Sequence, residues 1–210
     1  MSSFDVNCRD CPRLATFLDS VKEQYPDYHA RPVAPFGVAK PQVLIVGLAP
    51  GMHGANATGR PFTGDYAGIL LYKALHQYGF ASAGESVSQD DGLKLIQCKI
   101  TNAVKCLPPE NKPKTDEIKQ CNRFLKAELL ALKKGSVVFT LGGIAHSAVL
   151  RALALKLKDY PFGHAVEYDL PSGHHLITSY HCSRYNTQTR RLTEVMFMQV
   201  LARVRTYIDA

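Results

Sequence analysis

The chain has 210 residues, of which 46% are hydrophobic, and both values are typical of one soluble globular domain with a sizeable core. No apolar run is long enough to cross a membrane, and the amino terminus lacks the basic and apolar regions of a signal peptide. We therefore expect a cytoplasmic protein with no membrane partner. A net charge of +7 favours an anionic partner, nucleic acid first, although an ordinary basic enzyme can carry the same charge.

Strand and helix patterns alternate along the chain, which is typical of an α/β fold. In chain order we predict a strand at 42–48, a helix at 66–78, a strand at 98–104, a helix at 115–134, a strand at 136–141, a helix from 144 to about 156, a strand at 175–180 and a helix at 192–207. Thr115 is the expected cap of the second helix. The pattern predicts one three-layer domain, with the order of the strands left open.

Two loops of small and hydrogen-bonding residues follow two of these strands. The first covers residues 47–65 and reads GLAPGMHGANATGRPFTGD, and the second covers residues 179–186 and reads SYHCSRYN. In open α/β sheets, ligands bind where loops leave the carboxyl ends of the strands. We therefore expect the two loops to form one site.

The first loop does not match a phosphate-binding motif. It lacks the Gly-Lys-Ser/Thr ending of a P-loop and the spacing of a dinucleotide-binding loop. His53 in this loop is expected to be solvated rather than catalytic. Beside a helix amino terminus, the loop instead offers Asn56, Thr58, Arg60, Phe62 and Asp65.

Four of the six cysteines have the spacing of metal ligands. Cys8 and Cys11 form a C-x2-C pair, Cys106 precedes a rigid Leu-Pro-Pro turn, and Cys121 falls on the second turn of a predicted helix. Structural zinc and a [4Fe–4S] cluster both use four thiolates, so the spacing leaves both open. A redox dithiol is disfavoured because the first forty residues do not resemble a thioredoxin unit. Cys98, inside an apolar strand, is expected to be a core residue.

The two loops and the four cysteines together resemble the family 5 uracil-DNA glycosylases, which are iron–sulfur members of the uracil-DNA glycosylase superfamily. The resemblance extends from Cys8 to about Leu192. It implies a domain over residues 1–210 with a central four-stranded parallel sheet flanked by helices. It also implies hydrolysis of the N-glycosidic bond of uracil, and of other deaminated bases such as hypoxanthine and xanthine, in DNA. The implied ligands of a [4Fe–4S] cluster are Cys8, Cys11, Cys106 and Cys121.

The resemblance assigns catalysis to two residues. His181 would hydrogen-bond the anion that develops on the departing base, and such a donor is worth about 3–4 kcal/mol. Asp65 would orient the attacking water or stabilise the cationic sugar. Asp65 also precedes a predicted helix, where an aspartate commonly acts as the amino-terminal cap.

The resemblance also implies a set of substrate-binding residues. The Asn102 carboxamide would read the edge of a flipped-out base, and the Phe62 ring would stack on that base. The others would contact the phosphate backbone or fill the space of the flipped nucleotide. The full predicted set is Gly51, Asn56, Phe62, Asn102, Ser183, Arg184 and Asn186.

Two positions depart from patterns of related families. Leu48 stands where family 4 carries an acid, which makes Asp65 the predicted carboxylate. Cys182 stands where family 5 often has proline, so the second loop loses a conformational constraint. A further hypothesis is that the Cys182 thiol has a low pKa and can be oxidised.

The predicted enzyme is a monomer of the prokaryotic cytosol that acts on DNA. One alternative is a non-catalytic nucleic-acid-binding domain held by zinc or an iron–sulfur site, which would leave the two loops without a role. Another is a glycosylase restricted to uracil. Excision assays on different bases distinguish all three hypotheses.

Overall fold

A computed structural model describes residues 4–209 of the chain, so residues 1–3 and 210 of the predicted domain lie outside the described residues. In chain order the elements are α1 (Pro12–Gln24), β1 (Phe36–Gly37), β2 (Val43–Gly47), α2 (Ala55–Thr58), α3 (Tyr66–Gln77), β3 (Cys98–Asn102), α4 (Thr115–Leu130), β4 (Val137–Leu141), α5 (Gly143–Ala152), β5 (Glu167–Asp169), β6 (His175–Ser179), α6 (Arg184–Gln188) and α7 (Glu194–Asp209).

The strands form one mixed sheet of six strands in the order β1-β3-β2-β4-β6-β5. The inner four strands run parallel, while β1 and β5 pair antiparallel at the two edges. The inner four strands agree with the expected central parallel sheet, but the prediction lacked the two antiparallel edge strands. The two edge strands have only two and three residues, too few to show a periodic pattern in the sequence.

Helices cover both faces of the sheet. Side chains alternate along β2, so Val43 and Ile45 pack in the core cluster that contains residues of α3 and α7. Leu44 and Val46 pack in the opposite cluster, which contains residues of α4 and α5. A central strand buried on both faces needs a continuous apolar run, and β2 and β4 are buried at every residue. The predicted α/β class, with three layers, is confirmed.

One helix cap differs from the sequence prediction, and three helices were not predicted. Lys114, not Thr115, is the amino-terminal cap of α4. Its backbone N–H donates to the Glu117 carboxylate at 2.6 Å. Helix α1 was not predicted, although Pro12 at its start is a common first residue of helices. The short helices α2 and α6 were also missed, because each lies inside one of the two loops and has four or five residues.

Across residues 4–209, none of the helices combines the length and the hydropathy that crossing a bilayer requires.

Candidate active site

A cleft of about 400 Å³ opens at the carboxyl ends of the inner strands. Both predicted loops reach it, because β2 ends at Gly47 and β6 ends at Ser179. Strand β3 lies beside β2 and ends at Asn102 in register with Gly47. Most of the predicted site residues line the cleft: Gly51, Phe62, Asp65, Asn102, His181, Ser183 and Arg184.

The backbone of Gly47 forms the closest packing point of the site. A Cβ atom on Gly47 would lie 2.5 Å from Asn102 Oδ1 and 2.6 Å from Cζ of Phe62. Both separations are shorter than any van der Waals contact, so the two side chains occupy the space that a larger residue would need. Only a glycine at this position lets the amide and the ring reach the cleft together.

Phe62 lies against the cleft in an unusual backbone conformation. Its φ is +55°, a region that few non-glycine residues adopt, and its side chain is only 5% exposed. Its ring stacks with the His181 ring at a centroid distance of 5.9 Å and an angle of 27°. Phe62 is therefore a buried ring at the wall of the cleft.

Asp65 caps α3, since its Oδ1 accepts a hydrogen bond from the Gly68 backbone N–H at 2.8 Å. Its other oxygen, Oδ2, lies near Gly51 and Gly54 of the first loop. Burial raises the pKa of the Asp65 carboxyl above its usual value, even though backbone N–H groups oppose the shift. The predicted cap is confirmed, and the same carboxyl lines the cleft.

Burial lowers the pKa of His181 to about 4. At neutral pH its imidazole is therefore uncharged and carries one N–H donor. The loop that bears it is held by Asn186, whose Nδ2 donates to the His181 carbonyl oxygen at 2.8 Å. A neutral donor held in this way faces the cleft beside the Phe62 ring.

Two predicted binding residues do not line this cleft. Asn56 is fully buried, and its side-chain amide has no hydrogen-bond partner among the described residues. Asn186 lines a neighbouring cleft of about 250 Å³, which shares Leu48 and His181 with the first. The contacts of Asn186 give it a part in shaping the second loop.

The second loop also presents two predicted binding residues at the cleft. Ser183 caps α6 by accepting a hydrogen bond from the Asn186 backbone N–H at 3.4 Å. Arg184 is exposed, and its guanidinium lies 5.1 Å from the centre of the Tyr66 ring. This places a cation at the rim of the cleft. Tyr66 and Asn111 also line the cleft, and the sequence analysis did not predict them as site residues.

The four predicted cysteine ligands line one cavity on the same side of β3 as α4. Burial, together with the charges of the neighbouring cysteines, raises the pKa of Cys11 to about 11. The Lys105 backbone N–H lies 3.3 Å from Cys121 Sγ, and an Arg123 nitrogen lies 3.5 Å from Cys8 Sγ. Within residues 4–209, no three His, Cys, Asp or Glu side chains lie close enough together to hold a single metal ion.

A family model described as the uracil DNA glycosylase superfamily matches residues 34–205. The chain belongs to this superfamily. It is 47% identical over 199 residues to a type-5 uracil-DNA glycosylase of Thermus thermophilus, covering 92% of this chain and 90% of that protein. It is 41% identical over 202 residues to a type-5 uracil-DNA glycosylase of Pyrobaculum aerophilum, covering 94% and 88%. The family predicted from the motifs is confirmed.

A solved structure supports the same fold for this uracil DNA glycosylase superfamily member. The crystal structure of wild-type Pedobacter heparinus SMUG2 matches it with a TM-score of 0.52 over 81% of this chain and 77% of that one. The sequence identity is 14%, so this likeness bears on the fold alone.

The Cys182 position, where family 5 often has proline, is part of the core. Its side chain is fully buried, and burial raises the pKa of its thiol well above the usual range. The suggestion of an oxidisable thiol of low pKa is therefore wrong, because oxidation requires thiolate character and exposure. In this member of the superfamily, Cys182 acts as a small apolar residue under the second loop.

Replacing Gly47 with alanine tests the packing at the floor of the cleft. We expect Gly47→Ala to lower single-turnover excision of uracil about a hundredfold, because the added Cβ displaces the Asn102 amide or the Phe62 ring. Overpacking also costs about 1–3 kcal/mol of stability, measurable by denaturant unfolding. The control is Gly84→Ala, whose Cβ would meet only ordinary contacts of 3.7 Å or more. Equal activity in both variants would contradict this description of the floor.

Proposed function

We propose that this chain hydrolyses the N-glycosidic bond of uracil in DNA and leaves an abasic site, and that it also accepts hypoxanthine and xanthine. The observation that carries the proposal is the cleft in which an asparagine amide, a phenylalanine ring, a carboxylate and a neutral histidine converge. Relatives that share 41–47% of their residues with this chain carry the name type-5 uracil-DNA glycosylase. A merely DNA-binding domain would have no use for this convergence.

Asn102 is the proposed reader of the base. Its Oδ1 is buried and finds no hydrogen-bond donor within residues 4–209. A buried acceptor left unpaired costs about 1–3 kcal/mol, and a base that supplies an N–H donor recovers that cost. The ring of Phe62, packed beside the amide over Gly47, is the proposed stacking partner of the same base. Stacking discriminates weakly between bases, which supports acceptance of more than one deaminated base.

Asp65 and His181 are the proposed catalytic residues. Cleavage of the glycosidic bond builds positive charge on the sugar and negative charge on the departing base. The neutral His181 can donate a hydrogen bond to the base as its charge grows. The Asp65 carboxylate can orient a water molecule toward the sugar carbon or stabilise its positive charge. Both groups lie at one cleft, which permits them to act on a single bond.

Ser183 and Arg184 are the proposed contacts to the DNA backbone. Both line the cleft at the start of α6, where an exposed guanidinium suits a phosphate oxygen. The net charge of +7 provides a further, sequence-independent attraction to DNA. Gly51, Asn56 and Asn186 support this surface by shaping the two loops.

Cys8, Cys11, Cys106 and Cys121 are the proposed ligands of a [4Fe–4S] cluster. The four cysteines line one cavity, in which a cluster could bind to all four thiolates. A single zinc ion instead requires all four sulfurs about 2.3 Å from one point. The N–H donors near Cys8 and Cys121 also suit cluster sulfurs, which accept hydrogen bonds. Glycosidic hydrolysis transfers no electrons, so the reaction needs no redox chemistry from the cluster. When bound, the cluster would instead stabilise the fold.

The function is tested with matched oligonucleotides that carry uracil, hypoxanthine or xanthine. Single-turnover reactions followed by alkali reveal abasic sites, and we expect cleavage of all three substrates. His181→Ala should lower the rate by about two to three orders of magnitude, as removal of one donor to a developing anion does. Cleavage of uracil alone would support a narrow glycosylase, and tight DNA binding without abasic product would overturn the proposed activity.

Asp65→Asn is expected to raise stability while lowering activity. The folded state raises the pKa of Asp65, so ionisation of this carboxyl destabilises the fold above the pKa of the unfolded chain. Asparagine keeps the helix cap without the buried charge. The melting temperature of the variant should exceed that of the wild type at pH 7, and the difference should shrink as the pH falls.

The same variant should excise uracil slower by about two to four orders of magnitude, because the carboxylate is lost. Asp116→Asn, in the exposed first turn of α4, is the control: it should leave the rate unchanged and should not raise the melting temperature, because an aspartate there stabilises the helix dipole. An unchanged rate in Asp65→Asn would remove Asp65 from the mechanism.

Cys106→Ser is expected to lose the cluster and to unfold at a lower temperature. Iron content and absorbance at about 400 nm, where iron–sulfur clusters absorb, measure the loss of the cluster. Thermal unfolding measures the loss of stability. The control is Cys98→Ser, which replaces a thiol buried in the opposite core cluster and should keep its iron. A colourless protein that contains zinc would contradict the cluster assignment.

A further inference from the structure

A buried arginine, Arg60, connects the segment that carries Phe62 to the loop at residues 82–92. Arg60 is 4% exposed, and its Nη1 donates to Asp91 Oδ1 at 2.6 Å and to Ser86 Oγ at 3.0 Å. Its Nη2 donates to the Gln89 carbonyl oxygen. The guanidinium also lies 4.4 Å from the centre of the Phe36 ring. We call Arg60, Ser86, Gln89 and Asp91 the Arg60 clamp.

Asp91 organises its own loop around this ion pair. Its Oδ2 accepts from the Val87 backbone N–H at 2.9 Å, and its Oδ1 accepts from the Leu93 backbone N–H at 3.0 Å. Burial opposes ionisation, yet the pair with Arg60 and the backbone donors hold the pKa of Asp91 below its usual range. The loop around it, residues 82–92, is largely exposed.

Two further hydrogen bonds connect the clamp and helix α3 to the residues on either side of Phe62. Ser86 Oγ lies 2.7 Å from Thr63 Oγ1, and the Tyr72 hydroxyl donates to the Pro61 carbonyl oxygen at 2.9 Å. Residues on both sides of Phe62 are thereby fixed. A non-glycine residue at φ +55° persists only where the surrounding structure over-determines it.

We propose that Arg60 is a positioning residue of the excision reaction, which holds the Phe62 ring against the substrate base through the Arg60 clamp. This inference rests on the proposed function. Arg60 does not line the cleft, so its effect passes through Phe62 rather than through contact with DNA. Lysine is a poor replacement, because Arg60 reaches Asp91 and Ser86 from Nη1 and the Gln89 carbonyl oxygen from Nη2, whereas lysine has a single nitrogen.

A double-mutant cycle between positions 60 and 62 tests the proposal. We expect Arg60→Lys and Phe62→Ala each to slow single-turnover excision of uracil about tenfold to a hundredfold, as misplacement or loss of the ring predicts. The double variant should be no slower than Phe62→Ala alone. Affinity for uracil-free duplex DNA should stay at the wild-type value in Arg60→Lys. Rate losses that multiply in the double variant would overturn the proposal.

Two matched variants separate positioning from general destabilisation. Asp91→Asn keeps the shape of the partner and should reproduce the rate loss of Arg60→Lys. Arg203→Met breaks an exposed arginine–glutamate pair with Glu167 and should keep the wild-type rate. A rate loss in Arg203→Met as large as that in Arg60→Lys would assign the effect to stability alone and overturn the proposal.

Hydrogen exchange supplies a readout that does not depend on activity. The peptide spanning residues 58–65 should exchange faster in Arg60→Lys and Asp91→Asn than in the wild type, while Arg203→Met should leave it unchanged. If the wild type failed to excise uracil, the proposed function would fall, and this exchange pattern would still decide whether the clamp holds the Phe62 segment. Unchanged exchange in Arg60→Lys would overturn the clamp.

Discussion

The close approach of two side chains over the backbone of Gly47 is the constraint on which the active site depends. Gly47 ends a central strand and pairs in register with Asn102 of the next strand. A one-residue shift would turn every side chain of a strand to the opposite face, and burial on both faces prevents it. The Asn102 amide, the proposed reader of the base, is therefore positioned by the sheet, whereas the Phe62 ring is brought to the same place by a loop.

Burial shifts the pKa of both proposed catalytic groups and makes their charged forms costly. It lowers the pKa of His181 to about 4, which leaves a neutral donor, and it raises the pKa of Asp65. The same poorly hydrated surroundings strengthen every interaction with charge that develops on the substrate. The fold thus carries a carboxylate that opposes its own stability, a common exchange of stability for activity.

The sequence predicted the features that depend on local pattern. The four inner strands, the cap at Asp65 and the meeting of the two loops follow from apolar runs and from the rule that loops at the carboxyl ends of strands form sites. The edge strands were missed because they are too short to show a period. The pairing of Arg60 with Asp91 was not predictable, because the two residues lie 31 positions apart and no local pattern links them. The burial of Cys182 likewise depends on tertiary packing.

The two walls of the cleft are attached to the fold by different groups, and the proposed cysteine site and the proposed Arg60 clamp would each support one wall. Strand β3 continues from Asn102 to the buried Lys105, whose ammonium bonds Glu128 of α4 at 2.6 Å. Helix α4 also carries Cys121, so a cluster on the cysteines would fasten the strand end that bears the amide. The loop after β2 is held instead by Tyr72 of α3 and by Arg60. The proposed cluster and the proposed Arg60 clamp would together hold the two walls in the relative position that attack on one glycosidic bond requires.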